Sequence, residues 1–162
     1  MTNILQRLPV ACPYHLAEQY LAAIVGPLAE NGKVDRIELQ SPLDVLDHRL
    51  VRLVKEVDVT YGRGEDPMRF DQVWTVNWQP HGGGPYPSFS GTLTVRADED
   101  YTGCILELAG AYEPPMGAVG AAFDAVLGSR LAAGTAAELL RALGDRLKAR
   151  YRENEDSKRA AR

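Results

Sequence analysis

The last third of the chain carries a long helical pattern that constrains the rest of the fold. Its apolar side chains recur at multiples of four, the spacing of one helix face: Phe123, Leu127, Leu131, Leu139, Leu143 and Leu147. A helix with one wide apolar face buries that face against a second layer of structure. We therefore expect the upstream segments to form the surface on which this helix packs.

Most upstream segments alternate apolar and polar residues with a period of two, which is typical of half-buried strands. Short polar turns separate them, and this favours antiparallel neighbours. A helix over Tyr14 to Leu28 follows the first strand, and Gly26-Pro27 is expected to kink it or end it early. Ser41-Pro42 is expected to interrupt the second strand. The predicted strands cover residues 4–12, 37–43, 49–61, 70–79, 89–97 and 104–112.

Length and composition limit the classes of protein. The 162 residues predict one domain over residues 1–150, followed by a charged helix end or tail over 151–162. A net charge of -4 argues against a nucleic-acid partner, because proteins bind the phosphates of nucleic acids through clustered Lys and Arg. The chain shows neither a membrane-spanning run nor a signal segment, so we expect a cytoplasmic protein. Cys12 and Cys104 are predicted to be buried free thiols.

The end of the last strand resembles a known family. The pattern Gly110-x-Tyr112-x-Pro114-Pro115-x-Gly117-x-x-Gly120-x-x-Phe123-Asp124, together with the order of elements, is similar to small bacterial proteins of the START/polyketide-cyclase (SRPBCC) superfamily. The resemblance implies an α+β helix-grip fold, in which a curved antiparallel sheet wraps around a long C-terminal helix, with a short helical segment after the first strand. It also implies a cavity that holds lipids, sterols, polyketides or other largely apolar molecules.

The residues themselves agree with such a cavity. The C-terminal helix is rich in Ala and Gly, and small side chains on its inner face would leave space beneath a curved sheet. The alternatives are tight helix packing or a position of these residues on the solvent side. The predicted ligand-binding residues are mainly aromatic, and a filled core is the alternative for each: Trp74, Trp78, Phe89, Leu106, Tyr112 and Phe123.

Other candidate chemistry is sparse. The three histidines, His15, His48 and His81, are scattered, so neither a metal site nor a cofactor is predicted. His81 is the best functional candidate among them, because its glycine-rich loop can move and is expected near a cavity mouth; a solvent-exposed loop histidine is the preferred alternative. The Gly82-Gly83-Gly84 loop lacks the Lys-Ser/Thr pair of a phosphate-binding loop.

Strand register decides where three polar residues lie. Lys55 interrupts the inner face of its strand; a bulge or a solvated strand tip is the preferred explanation, and an amine at a cavity edge is the alternative. Asn77 and Glu107 are predicted to be exterior, but a register shifted by one residue would bring both inside.

We expect the protein to bind a small, largely apolar ligand. Two alternatives remain: an enzyme of cyclase or aromatase type that uses a cavity-lining acid or base, and a protein-interaction module with a filled core. A homo-oligomer is compatible with each of these functions.

Overall fold

The chain forms an α+β fold with two helices and six strands in its described part. The structure, a computed structural model, describes residues 2–45, 49–66, 68, 71–84, 86–114 and 125–162. Side chains are described for the same residues except 2, 39–45, 49–53 and 125–127. The elements, in chain order, are β1 (Thr2–Val10), α1 (Tyr14–Glu30), β2 (Asp35–Val45), β3 (Arg49–Gly64), β4 (Val73–Pro80), β5 (Ser88–Ala97), β6 (Cys104–Glu113) and α2 (Ala125–Ala160).

The six strands form one curved antiparallel sheet in the order β1-β6-β5-β4-β3-β2. Along each strand, the buried residues lie mainly at every second position. These residues form the apolar inner face of the sheet, which packs against the helices. Asn77 is exposed on the outer face of β4. Glu107 lies on the outer face of β6, where it accepts hydrogen bonds from Arg7 at 2.7 Å and Arg96 at 3.2 Å. The exterior placement of Asn77 and Glu107 is therefore confirmed.

Helix α2 packs its predicted apolar stripe against this sheet. Leu131, Leu139, Leu143 and Leu147 are at most 2% exposed, which confirms the predicted face. Phe123 lies outside the described residues, and the side chain of Leu127 lies outside the described side chains. The helix contacts β1, β2 and β6, so it bridges both edges of the curved sheet. This arrangement is the helix-grip fold.

The predicted early end of α1 at Pro27 and the predicted interruption of β2 at Ser41-Pro42 are wrong. Helix α1 continues through Pro27 to Glu30. A proline so near the helix end removes only one internal hydrogen bond, and Asn31 caps Pro27 O through its side-chain amide at 2.7 Å. Strand β2 continues across Ser41 and Pro42, with Pro42 opposite Arg52. It is an edge strand, where a residue without an N–H can face away from the ladder.

The predicted bulge at Lys55 is also wrong. The β2–β3 register is continuous from Asp35↔Val59 to Val45↔Arg49, and Leu39 lies directly opposite Lys55. The amine of Lys55 instead donates hydrogen bonds to the carbonyl oxygens of His81 and Gly83, at 3.3 and 3.0 Å. Backbone carbonyls therefore accommodate this cation on β3.

Both cysteines are buried free thiols, as predicted. Burial raises the pKa of the Cys104 thiol to about 12, with smaller contributions from Cys12 and Asp98, so the thiol stays protonated at neutral pH. In the portion of the chain that is described, no helix has the length and apolar character needed to span a membrane.

Candidate functional site

Three aromatic side chains form a continuous row across the inner face of the sheet. Trp78 on β4 is opposite Phe89 on β5, and Phe89 is opposite Tyr112 on β6. The rings of Trp78 and Phe89 are stacked, with centroids 4.1 Å apart and planes inclined by 10°. All three residues are at most 3% exposed. We call Trp78, Phe89 and Tyr112 the aromatic row.

A pair of glycines makes room for the Phe89 ring on the inner face of the sheet. Gly91 and Gly110 are direct partners on the inner face of β5 and β6. A Cβ atom at either position would lie 2.6 or 2.7 Å from Cζ of Phe89, and it would also overlap the backbone of the neighbouring strand. The missing side chains therefore create the recess that the Phe89 ring occupies.

The loop between β4 and β5 covers one end of the aromatic row. We call residues 81–87 the glycine loop, because Gly82, Gly83 and Gly84 all have positive φ angles, of 71°, 74° and 105°. Trp78 Nε1 donates a hydrogen bond to Pro87 O at 3.2 Å. The last residues of the loop are therefore attached to the ring system of the row.

A buried pair of hydroxyl groups connects the glycine loop to α2. Tyr86 is 4% exposed, and its hydroxyl is hydrogen-bonded to that of Thr135, which is fully buried. Thr135 also donates a hydrogen bond to Leu131 O at 2.8 Å. Because a threonine hydroxyl has one proton, the proton between the two hydroxyls comes from Tyr86. The loop and the helix are thus joined at a fixed point inside the protein.

The other end of the glycine loop is attached to β3. His81 N donates to Glu56 O at 2.9 Å, and His81 Nδ1 lies 2.9 Å from Asp58 Oδ2. The hydrogen bonds from His81 and Arg36 hold the pKa of the Asp58 carboxyl below its usual value. Together with Lys55, these contacts hold the start of the loop against β3.

Tyr61 brings a further hydroxyl to the inner face. It lies on β3 opposite Val76, two residues from Val59, the partner of Trp78. The residue is 6% exposed, and among the described residues none forms a hydrogen bond to its hydroxyl. Burial raises the pKa of Tyr61 well above its usual value; the Asp35 carboxylate adds to this, and the Arg146 guanidinium opposes it.

The structure brings together only part of the set predicted from sequence. Trp78, Phe89 and Tyr112 form the aromatic row. Trp74 lies about 13 Å along β4 from Trp78, with its ring against Gly26 of α1 and 5.5 Å from the Arg63 guanidinium.

The two remaining members of that set are not part of the row. Leu106 lies about 20 Å along β6 from Tyr112, opposite Leu8 of β1. Phe123 lies outside the described residues.

Three side chains near the row were not among the predicted site residues: Tyr61, Tyr86 and Thr135. Thr135 lies between Leu131 and Leu139, at a position where the spacing of four predicts an apolar residue. A polar residue in this apolar stripe was the signal that could have indicated a buried hydrogen bond. Tyr86 lies between Pro85 and Pro87 in a loop, and no pattern there indicates burial. The described residues contain no cluster of three His, Cys, Asp or Glu side chains suited to a metal ion.

Comparison with known proteins supports the fold. No protein-family model matches the chain. No curated protein sequence matches it. A conserved protein from Geobacillus kaustophilus has a similar structure, with a TM-score of 0.52, 13% identity, and coverage of 94% of this chain and 96% of that chain. At this identity the similarity shows the fold alone.

Two further solved structures align at lower TM-scores. TTHA0849 from Thermus thermophilus has a TM-score of 0.48 and 11% identity, with 91% of this chain and 98% of that chain covered. DynU16, a protein of the dynemicin biosynthetic locus, has a TM-score of 0.39 and 12% identity, with 82% of this chain and 45% of that chain covered. The sheet, the two helices and their order define the chain as a helix-grip protein.

Proposed function

We propose that this protein binds a small, largely apolar molecule between the curved sheet and α2, against the aromatic row. The stacked pair of Trp78 and Phe89, extended by Tyr112, is the observation that carries the proposal. The resemblance to the START/polyketide-cyclase superfamily supports it, because proteins of that superfamily hold apolar molecules between sheet and helix.

The chemistry of the row favours a flat or chain-like apolar ligand. Aromatic faces offer large apolar areas with little conformational freedom to lose on binding. A ligand that buries about 200 Å² of apolar surface gains about 5 kcal/mol, at about 25 cal/mol per Å².

The two tryptophans of the chain allow a direct test of this location. Bromine quenches indole fluorescence on contact, and 1-bromodecane is a small apolar probe. We expect 1-bromodecane to quench the emission of a Trp74→Phe variant, whose remaining tryptophan is Trp78. The matched Trp78→Phe variant retains Trp74, which packs against α1, and should be quenched much less. Titration of each variant gives the quenched fraction and the apparent Kd.

Two results would contradict the proposal. Absence of saturable quenching in both variants would show that this apolar probe does not bind. Stronger quenching of Trp74 than of Trp78 would place the probe near α1 rather than on the aromatic row. Circular dichroism of both variants serves as the control for intact folding.

A further inference from the structure

Tyr61 lies within reach of a molecule bound on the aromatic row. Its neighbour Val59 is opposite Trp78, so Tyr61 is displaced from the row by about 7 Å, which is two residues along β3. Asp35 is also opposite Val59, on the β2 side. Tyr61 therefore lies on the inner face opposite Val76, between the positions of Trp78 in the row and Trp74.

The Tyr61 hydroxyl is in an unfavourable state within the chain. Its oxygen is buried, and none of the described residues forms a hydrogen bond to it. A buried hydroxyl without a partner costs free energy, since it has given up its hydrogen bonds to water. A phenylalanine would fill the same space at no such cost. The hydroxyl is thus suited to a partner other than the described residues of the chain.

The surroundings define which partner suits this hydroxyl. Burial keeps the phenol protonated, so the group is a hydrogen-bond donor at neutral pH. Asp35 and Arg146 are already paired with each other at 3.0 Å. Asp35 makes the stronger contribution of the two at Tyr61, so the local field is unfavourable for a second anion. The partner is therefore a neutral acceptor, such as a ketone, ester or alcohol oxygen.

We propose that Tyr61 is the polar anchor of the binding site and donates a hydrogen bond to a neutral oxygen of an otherwise apolar ligand. This inference rests on the proposed function and adds the ligand's chemical class. It predicts that neutral oxygenated molecules bind better than both hydrocarbons and carboxylates of the same shape.

The first test concerns the protein without added ligand. Because the hydroxyl has no hydrogen-bond partner among the described residues, Tyr61→Phe should leave Tm unchanged or raise it. A decrease of more than about 3 °C, the change expected for about 1 kcal/mol in a domain of this size, would show that the hydroxyl is already satisfied in the free protein and would overturn the inference. Tyr101→Phe, at a residue 75% exposed, is the matched control.

The second test compares three probes of nearly equal shape by equilibrium dialysis: 2-acetylnaphthalene, 2-ethylnaphthalene and 2-naphthoate. The ketone preference is the Kd of 2-ethylnaphthalene divided by the Kd of 2-acetylnaphthalene. We expect this ratio to be about tenfold larger for the wild type than for Tyr61→Phe, because the variant loses one neutral hydrogen bond to the ketone. Affinity for 2-ethylnaphthalene should be equal in both proteins. The wild type should bind 2-naphthoate more weakly than the ketone.

The outcomes separate the anchor from the site. If 2-ethylnaphthalene binds and the ketone preference is the same in Tyr61→Phe, the anchor is wrong and the apolar site remains. Tightest binding of 2-naphthoate by the wild type would also overturn the anchor, since it would require a cationic partner. If the wild type binds none of the three probes, the proposed function and the anchor are both wrong.

Discussion

Gly91 and Gly110 show how single residues shape the inner surface of this protein. An added Cβ at either position would overlap the backbone of the neighbouring strand and press on the Phe89 ring. We expect Gly110→Ala to lower the free energy of unfolding by about 1 to 3 kcal/mol, as overpacking in a rigid core does. Urea denaturation measures the change.

Ser90→Ala is the matched control for this substitution. Ser90 is exposed on the outer face of β5, next to Gly91, and its replacement adds no atom to the inner face. Its effect should stay within about 0.5 kcal/mol. Equal stability of Gly110→Ala and wild type would show that the sheet can relax at this point.

At the residue scale, the sequence predicts the members of the aromatic row but not their polar neighbours. Trp78 and Tyr112 follow from strand alternation, because a period of two assigns each residue to a face. Tyr86 and Thr135 become neighbours only when the glycine loop meets α2, and this contact joins residues 49 positions apart. Local patterns contain no information about such a contact.

Helix α2 gives the clearest prediction at the scale of an element. Leu143 is 1% exposed in the middle of the buried stripe. Leu143→Ala should lower the free energy of unfolding by about 2 to 5 kcal/mol, because it removes buried methyl groups and leaves a cavity. Arg150→Ala, on the exposed side of the same helix, should change it by less than about 0.5 kcal/mol. Thermal unfolding measures the loss of stability in each variant. Similar losses in both variants would show that the buried helix face is assigned incorrectly.

The attachment of the glycine loop to β3 should depend on pH. The native pKa of Asp58 is lowered by His81 and Arg36, so its contribution to stability is complete above the unfolded pKa of about 4 and is lost as the pH falls through the folded value. Between about pH 5 and pH 2, the wild type should therefore lose stability more steeply than Asp58→Asn. Denaturation midpoints across this range test the difference.

Asp100→Asn is the control for the pH experiment. Asp100 lies in the exposed turn before β6, and its variant should follow the wild-type curve. Parallel curves for wild type and Asp58→Asn would mean that the contacts to His81 and Arg36 contribute no pH dependence.

Element boundaries were predicted less well than element types, for physical reasons. Pro27 and Pro42 are both read from sequence as breaks, yet each lies where the structure does not need its N–H. One is in the last turn of α1 and the other is in an edge strand. Whether a strand is at an edge depends on the whole sheet, so a local rule could not identify these exceptions.

At the scale of the whole molecule, the antiparallel meander and its gripping helix follow from the sequence, because periodicity and short turns limit the topology. The sequence does not predict where the site lies between the curved sheet and α2. The inner face is apolar over most of its length, and the sequence alone does not distinguish the end filled by α1, where Trp74 packs, from the end with the aromatic row.

The pairing of β1 with β6 affects when the sheet can be completed during synthesis of the protein. These strands are separated by about a hundred residues of chain, whereas β2 to β6 pair in succession. On the ribosome, β1 is synthesised before the other five strands of the sheet, but it can pair only after β6 has been synthesised. At about 5 to 20 residues per second this delay is about 5 to 20 s. Throughout that interval the inward-facing side chains of β1, Ile4, Leu8 and Val10, lack the strand beside which they pack in the folded sheet.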